Sequence, residues 1–192
     1  RSGDIDNRRS GNAQKDAMLA GGRIHRKIQK RMGSGYRAEV PLKHEVQDEE
    51  QEITLLVEGR ADGIFTENGI TVIDEIKGMY TDVSRLEEPI EVHLAQAMCY
   101  GYFYCCDKDL DGIRLQMTYC NLETEEIKRF QTDRSREELE TWFSGVVHEY
   151  FKWARHLYHH ELTRDASIKH LEFPFPYRAG QRDLVVSVYR TV

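Results

Sequence analysis

Two short acidic segments, residues 58–62 and 74–77, are close enough in the chain to build a cation site. Asn68-Gly69 between them is a strong signal for a two-residue β-hairpin turn. In that register Asp62 faces Glu75 directly, with Cβ atoms roughly 5 Å apart. Two facing carboxylates destabilise a hairpin unless a divalent cation binds them, because hard cations prefer carboxylate oxygens. The pattern therefore predicts a metal site at Asp62 and Glu75.

Lys77 follows Glu75 by two residues, so both side chains are expected on one face of the strand. A lysine beside a metal-activated water can hold the nucleophile and stabilise charge that grows on a phosphate. The same register places Arg60 opposite Lys77, which predicts a compact cluster of two acids and two cations. The alternative is an ordinary salt bridge from Lys77 to Glu75 or Glu58, on a solvent-facing hairpin.

Three further residues are weaker candidates. His25 lies on the apolar face of the first predicted helix, where a lone histidine is usually a hydrogen-bonded core residue; only the hairpin acids make it a candidate third metal ligand. Gln96 and Tyr100 are four residues apart and share a helix face. Both could order a water or a phosphate, and helix packing is the alternative. The histidines of the last predicted helix are treated as surface or packing residues.

Composition and charge restrict the class of protein. The chain of 192 residues is long enough for one domain with a real core, and no apolar stretch approaches the ~20 residues that span a bilayer. Residues 1–37 carry ten Lys or Arg against three Asp, although the whole chain has a net charge of −6. A basic segment beside an acidic body fits a nucleic-acid-binding face next to a metal centre, and a solvated amphipathic helix fits equally well.

The cysteine pattern argues against disulfides and metal clusters. The four cysteines form no Cys-x-x-Cys pair, and so few in a chain of this size favour reduced, mostly buried thiols. We therefore expect a cytoplasmic protein with no membrane partner.

Hydrophobic periodicity and turn signals predict an α/β fold with a mixed sheet covered by helices. Ser135 and Glu138 have the spacing of a capping box, so a long amphipathic helix should follow. Its apolar face is predicted to contain Leu139, Trp142, Phe143, Val146, Tyr150, Phe151, Ala154 and Leu157. The predicted elements are a helix over 12–32, strands over 37–46, 53–66 and 70–79, a helix from Pro89 to about Cys106, strands over 113–121 and 125–131, and that last helix.

Together these motifs resemble the PD-(D/E)XK nuclease superfamily, and within it the RecB-like branch. The resemblance covers roughly residues 20–105 and implies a restriction-endonuclease-like mixed central sheet flanked by helices. The matching pieces are, in chain order, Gly22-Arg23-Ile24-His25, Gly59-Arg60-Ala61-Asp62, Asp74-Glu75-Ile76-Lys77, and Gln96-Ala97-Met98-Cys99-Tyr100, which is similar to the Gln-x-x-x-Tyr signature of the branch.

The resemblance implies a site and a reaction. His25, Asp62 and Glu75 would ligate Mg²⁺ or Mn²⁺, with the Ile76 carbonyl as a fourth ligand. Lys77 would be the catalytic lysine beside Glu75 and Asp62, and Gln96 and Tyr100 would support the site or the bound strand. The implied activity is hydrolysis of DNA phosphodiester bonds by metal-activated water, as an exonuclease. No iron–sulfur cluster is expected, because the cysteines that hold one in CRISPR-associated relatives are missing at the corresponding places.

The C-terminal segment from Phe173 to Gln181 carries a second resemblance, to the start of a superfamily 2 helicase of the DinG/XPD type. No phosphate-binding Gly-x-x-x-x-Gly-Lys-[Ser/Thr] follows it. We therefore expect residues 1–172 to form the nuclease domain and residues 173–192 to be a linker or the start of a helicase domain, acting together in DNA repair or processing. The alternatives are a non-catalytic nucleic-acid-binding domain on the same fold, and a protein-interaction module that presents the long helix.

Overall fold

A computed structural model describes residues 11–48, 53–172 and 175–191. The chain divides into two compact units, Arg1–Tyr150 and Phe151–Val192. Phe173 and Pro174, at the predicted boundary between nuclease and helicase segments, lie outside the described residues, so that boundary stays a prediction.

The order of elements agrees with the sequence prediction and adds one helix. The second helix begins at Glu91 rather than Pro89, because Ile90 is extended and donates its N–H to the Tyr119 hydroxyl at 2.9 Å. The elements are α1 (Gly11–Arg31), β1 (Arg37–Asp48), β2 (Ile53–Glu67), β3 (Ile70–Met79), α2 (Glu91–Lys108), β4 (Gly112–Asn121), β5 (Ile127–Ser135), α3 (Arg136–Ile168) and the unpredicted α4 (Gln181–Thr191), with a short 3₁₀ turn over Val83–Arg85.

The five strands form one mixed sheet in the order β1-β2-β3-β4-β5. All neighbours are antiparallel except β3 and β4, which are parallel. A parallel pair needs a long crossover connection, and α2 supplies it. The prediction of an α/β fold with a restriction-endonuclease-like mixed central sheet flanked by helices is confirmed.

Helices α1 and α2 cover opposite faces of the sheet. Ile24 and Ile28 of α1 pack with Cys120 of β4, whereas Ala97 of α2 packs with Tyr119. Residues 119 and 120 are consecutive in one strand, so their side chains point to opposite faces. Both helices therefore reach the middle of the sheet, from opposite sides.

The predicted hairpin forms with the predicted register near its turn. Asn68 and Gly69 both have positive φ (51° and 82°), as a type I′ turn requires. Pairing runs from Glu67 with Ile70 to Gly63 with Asp74 and stops there. The expectation that Asp62 would pair directly with Glu75, and Arg60 with Lys77, is therefore wrong, because β2 separates from β3 beyond this point while it stays paired with β1.

The start of α3 has the predicted capping box. Glu138 Oε2 accepts from the Ser135 N–H at 2.8 Å, and Ser135 Oγ accepts from the Glu138 N–H at 3.1 Å. The inward face agrees with the prediction only in part. Leu139, Phe143 and Phe151 are buried as expected, whereas Val146 and Tyr150 are exposed and the unpredicted Val147 is buried. The four cysteines are free thiols. None of the described helices has the length and apolar character needed to cross a bilayer, and a cytoplasmic location stays a prediction.

Candidate active site

Asp62 lies at the point where β2 and β3 separate. Its Oδ2 accepts a hydrogen bond of 2.7 Å from the Ile76 backbone N–H, and its Oδ1 lies 3.1 Å from His25 Nδ1. In a continuing antiparallel ladder the Ile76 N–H would bond to the backbone of Ala61 instead. The Asp62 carboxylate thus replaces a backbone acceptor and is held between two strands and α1.

Glu75 is buried beside Asp62 with one oxygen left without a partner. Its side chain is 2% exposed, and Oε1 accepts from Lys77 Nζ at 2.8 Å. The other oxygen, Oε2, is inaccessible to solvent and has no hydrogen-bond partner. A buried, unpaired carboxylate oxygen costs free energy unless a proton or a cation satisfies it.

A chain of hydrogen bonds fixes Lys77 from the side of α2. Lys77 Nζ donates to Gln96 Oε1 at 2.9 Å, and Gln96 Nε2 donates to the Tyr100 hydroxyl at 3.1 Å. The Arg60 backbone N–H also donates to that hydroxyl, at 3.2 Å. Gln96 and Tyr100 share a helix face, as predicted, and together they link the lysine to β2.

Gly59 makes room for this link. A Cβ atom at position 59 would lie 2.5 Å from the Tyr100 hydroxyl, closer than side chains approach one another. Only glycine lets the Tyr100 ring lie against the β2 backbone. This gives a steric reason for the first residue of the Gly59-Arg60-Ala61-Asp62 segment.

The electrostatics of the cluster favour protons or a cation. The pKa of Glu75 is raised to about 7, chiefly by burial and also by the negative charge of Asp62, while Lys77 opposes the rise. The pKa of His25 is also raised, chiefly by its hydrogen bond to Asp62. Glu75 holds its proton more tightly than usual because it is buried beside another carboxylate, and His25 does so because its bond to Asp62 outweighs the opposite effect of burial.

The residues present fit a hard divalent cation. Asp62 and Glu75 supply carboxylate oxygens, His25 supplies an imidazole, and the unpaired Glu75 Oε2 is an oxygen that a cation would satisfy. The Ile76 C=O is expected on the same side as its N–H, toward the gap beside Asp62. In the described part of the chain, no three His, Cys, Asp or Glu side chains form a ready-made metal cluster. The ligand set stays a prediction.

Asp74, the first acid of the second segment, points to the opposite side of β3 from Glu75 and belongs to a different network. It is fully buried and accepts from Tyr36 Oη at 2.9 Å, Gln116 Nε2 at 3.0 Å and Thr118 Oγ1 at 2.6 Å. Burial raises the pKa of Asp74, and these three donors oppose the rise. All its hydrogen bonds are internal to the core, so its role is structural.

Gln29 is a site residue that sequence reasoning missed. Its Nε2 donates to the Asp62 backbone carbonyl at 2.9 Å. The available signal was its position four residues after His25, which places both side chains on the same face of α1.

An open groove lies next to the cluster along β1 and β2. It has a volume of about 530 Å³ and is lined by residues 41–43 and 58–60, including the exposed cations Lys43 and Arg60. Gly59 belongs to this lining and also contacts Tyr100, so the groove adjoins the hydrogen-bond chain. Arg60 therefore lies beside the groove rather than opposite Lys77.

No protein-family profile matches the chain, and no curated protein matches it. Among solved structures, the crystal structure of SSO0001 is similar, with 20% sequence identity and a TM-score of 0.49. The match covers 62% of this chain and 54% of the SSO0001 chain.

Proposed function

We propose that this chain is a Mg²⁺- or Mn²⁺-dependent DNA nuclease of the PD-(D/E)XK type, acting as an exonuclease. The observation that carries the proposal is the buried Glu75 Oε2 without a partner, beside Asp62 and with Lys77 held against the same carboxylate. An acidic pair with a fixed lysine and an unsatisfied oxygen suits metal-assisted phosphodiester hydrolysis.

Each side chain has a distinct part in the proposed reaction. Asp62, Glu75, His25 and the Ile76 carbonyl would hold the ion, which supplies Lewis acidity and lowers the pKa of water when bound. Lys77 is 24% exposed, and its ammonium, held against Glu75, would stabilise the charge that grows on a phosphate bound there. Gln96 and Tyr100 keep that ammonium in place, so the charge is already oriented when the transition state forms.

The surface near the site suits a polyanionic substrate. Arg23, Arg26 and Lys30 are exposed on α1, and Lys43 and Arg60 line the adjoining groove. Basic side chains of this kind bind the phosphates of a nucleic acid irrespective of its sequence. Action beside a helicase in the same polypeptide, in DNA repair or processing, is part of the proposal and rests on the resemblance of the C-terminal segment.

The test is degradation of end-labelled single- and double-stranded DNA by the wild-type protein in Mn²⁺, in Mg²⁺ and in EDTA. Glu75→Ala should abolish the metal-dependent products, and Glu126→Ala, at an exposed acid on the β4–β5 turn, is the matched control. No cleavage by wild type, or full cleavage by Glu75→Ala, would refute the proposal.

A non-catalytic nucleic-acid-binding domain is the second candidate. Three of the four carboxylate oxygens of Asp62 and Glu75 already lie within 3.1 Å of a nitrogen of the protein. A cluster that is held together by ion pairs and binds no metal would have the same contacts. Calorimetric titration separates the two functions. DNA binding with no uptake of Mn²⁺ would favour the binding domain over the nuclease.

A further inference from the structure

Helix α1 contacts Asp62 through two residues, His25 and Gln29. His25 Nδ1 lies 3.1 Å from the Asp62 carboxylate, whereas Gln29 Nε2 donates to the Asp62 backbone carbonyl at 2.9 Å. The same Gln29 amide donates to Glu39 Oε1 at 3.0 Å. One side-chain amide therefore joins α1, the start of β1 and the residue proposed as a metal ligand.

The Asp62 carbonyl accepts this bond where the β1–β2 ladder is interrupted. Ala38 pairs with Gly63 and Val40 pairs with Ala61, and the pair between them, Glu39 with Asp62, is missing. Glu39 has a φ of 56°, in the left-handed region that side chains other than glycine rarely adopt. A strand residue with this conformation cannot exchange both backbone hydrogen bonds with its neighbour.

Asp62 consequently pairs with no residue of β1 on one side and with no residue of β3 on the other. The β2–β3 pairing ends at Gly63, and the β1–β2 pairing omits position 62. The sheet alone does not determine where the Asp62 carboxylate lies. Its position is set by the Ile76 N–H, by His25 and by Gln29, the only one of these three that holds its main chain.

We propose that Gln29 is a positioning residue that places Asp62 for metal binding, and that Glu39 orients the Gln29 amide from a strained backbone. Strained residues persist where surrounding contacts over-determine them, and they concentrate at functional sites. The metal-binding part of this inference rests on the proposed function, whereas the placement of Asp62 does not. The two parts can be measured separately.

Amide hydrogen exchange of the metal-free protein tests the placement. The Ile76 N–H is protected by the Asp62 carboxylate, so Gln29→Met, which keeps the length of the side chain but removes its donor, should speed exchange at Ile76 at least tenfold. The Leu115 amide in the middle of β4 should keep its rate. Lys30→Met, at the exposed neighbouring position on α1, should match wild type at both amides. Unchanged exchange at Ile76 in a folded Gln29→Met variant would overturn the proposal.

Calorimetric titration with Mn²⁺ tests the metal-binding part. Gln29→Met should bind Mn²⁺ at least tenfold more weakly than wild type, and high Mn²⁺ should restore its rate of DNA cleavage. Equal affinity in the two proteins would overturn the metal-binding role of Gln29. Absence of Mn²⁺ binding by wild type would refute the nuclease and this role with it, while the exchange rate at Ile76 would still decide the placement.

Substitutions at Glu39 separate strain from positioning. Glu39→Gly removes the acceptor for Gln29 and suits the positive φ, so the melting temperature should not fall while Mn²⁺ affinity and Ile76 protection both decrease. Glu39→Gln keeps an acceptor oxygen, so it should retain the Mn²⁺ affinity and the protection of the Ile76 amide. If Glu39→Gly retains both instead, Glu39 does not orient Gln29.

Discussion

Asp62 Oδ2 accepts a hydrogen bond of 2.7 Å from the Ile76 backbone N–H, in place of the backbone pair that would extend the β2–β3 ladder. A carboxylate of β2 is thereby held by a backbone donor of β3. A small gap between the two strands results, and the Glu75 carboxylate lies beside it. The proposed metal site thus depends on where strand pairing ends, and it needs no long loop.

Glu75→Gln should abolish Mn²⁺ binding while it stabilises the metal-free protein at pH 8. The buried carboxylate has a raised pKa, so its ionised form is unfavourable in the folded state. Removing that charge should raise the free energy of unfolding by about 1–3 kcal/mol. Chemical denaturation at pH 8 and titration with Mn²⁺ check both effects. A destabilised variant would show that the Lys77–Glu75 ion pair outweighs the cost of burying the charge.

The stability of the metal-free protein should decrease as the pH rises from about 4.5 to about 7. The pKa of Glu75 is raised from 4.5 in the unfolded chain to about 7 in the fold, so the folded state binds the additional proton in this range. The contribution is present below pH 4.5 and is lost as the pH passes the folded pKa. Glu75→Gln should remove this part of the pH dependence in denaturation curves.

Affinity for Mn²⁺ should change with pH in the opposite direction. A cation must displace the proton on Glu75, so affinity should fall roughly tenfold per pH unit below about 7 and level off above it. The raised pKa of His25 adds a second proton to be displaced if the imidazole is a ligand. Calorimetry in buffers of different ionisation enthalpy counts the released protons. An affinity independent of pH between 6 and 8 would contradict Glu75 as a ligand.

Lys77→Met should lower kcat by roughly 10²–10³-fold and leave Mn²⁺ binding at pH 8.5 intact. The lysine contacts one oxygen of Glu75 and leaves Oε2 unpaired, so removing it takes away the cation without removing a ligand oxygen. Lys108→Met, at an exposed lysine paired with Asp107, is the control. Single-turnover cleavage measures the chemical step, and a loss confined to KM would assign Lys77 to substrate binding.

Gly59→Ala should destabilise the protein by about 1–3 kcal/mol and reduce cleavage. The added Cβ would lie 2.5 Å from the Tyr100 hydroxyl, and Tyr100 is only 8% exposed, so the ring has little room to move. Displacing Tyr100 would also release Gln96 from its hydrogen bond. Gly21→Ala is the contrasting substitution, because nothing lies within 4 Å of the added Cβ in α1, and it should stabilise by roughly 0.5–1 kcal/mol.

Features that depend on residues close together in the sequence could be predicted from local sequence signals. Asn68-Gly69 predicted the two-residue turn and the register of the adjacent pairs, because both residues readily adopt the positive φ that such a turn requires. Ser135 and Glu138 gave the start of α3, because a capping box closes over three residues. Gln96 and Tyr100 share one helix face for the same local reason, the helical period.

Features that depend on several elements at once could not be predicted. Pairing of β2 with β3 stops at Gly63, while β2 stays paired with β1. The rules for hairpins describe two strands alone and do not predict how a third strand limits their pairing. The positive φ of Glu39 has no sequence signal, since glutamate rarely adopts it. The Gln29 hydrogen bond to the Asp62 carbonyl depends on how α1 packs against β2, which the sequence pattern does not describe.

Because the Asn68–Gly69 turn fixes the register of the hairpin, the number of residues between each acid and the turn decides the face to which its side chain points. Successive strand residues alternate between faces, so deleting one residue between Asp62 and the turn would turn that side chain away from the side on which it now meets Glu75. A second deletion, in the other arm, would bring them back together. The two strands can therefore lose or gain residues and keep the acids together only if both change by the same number.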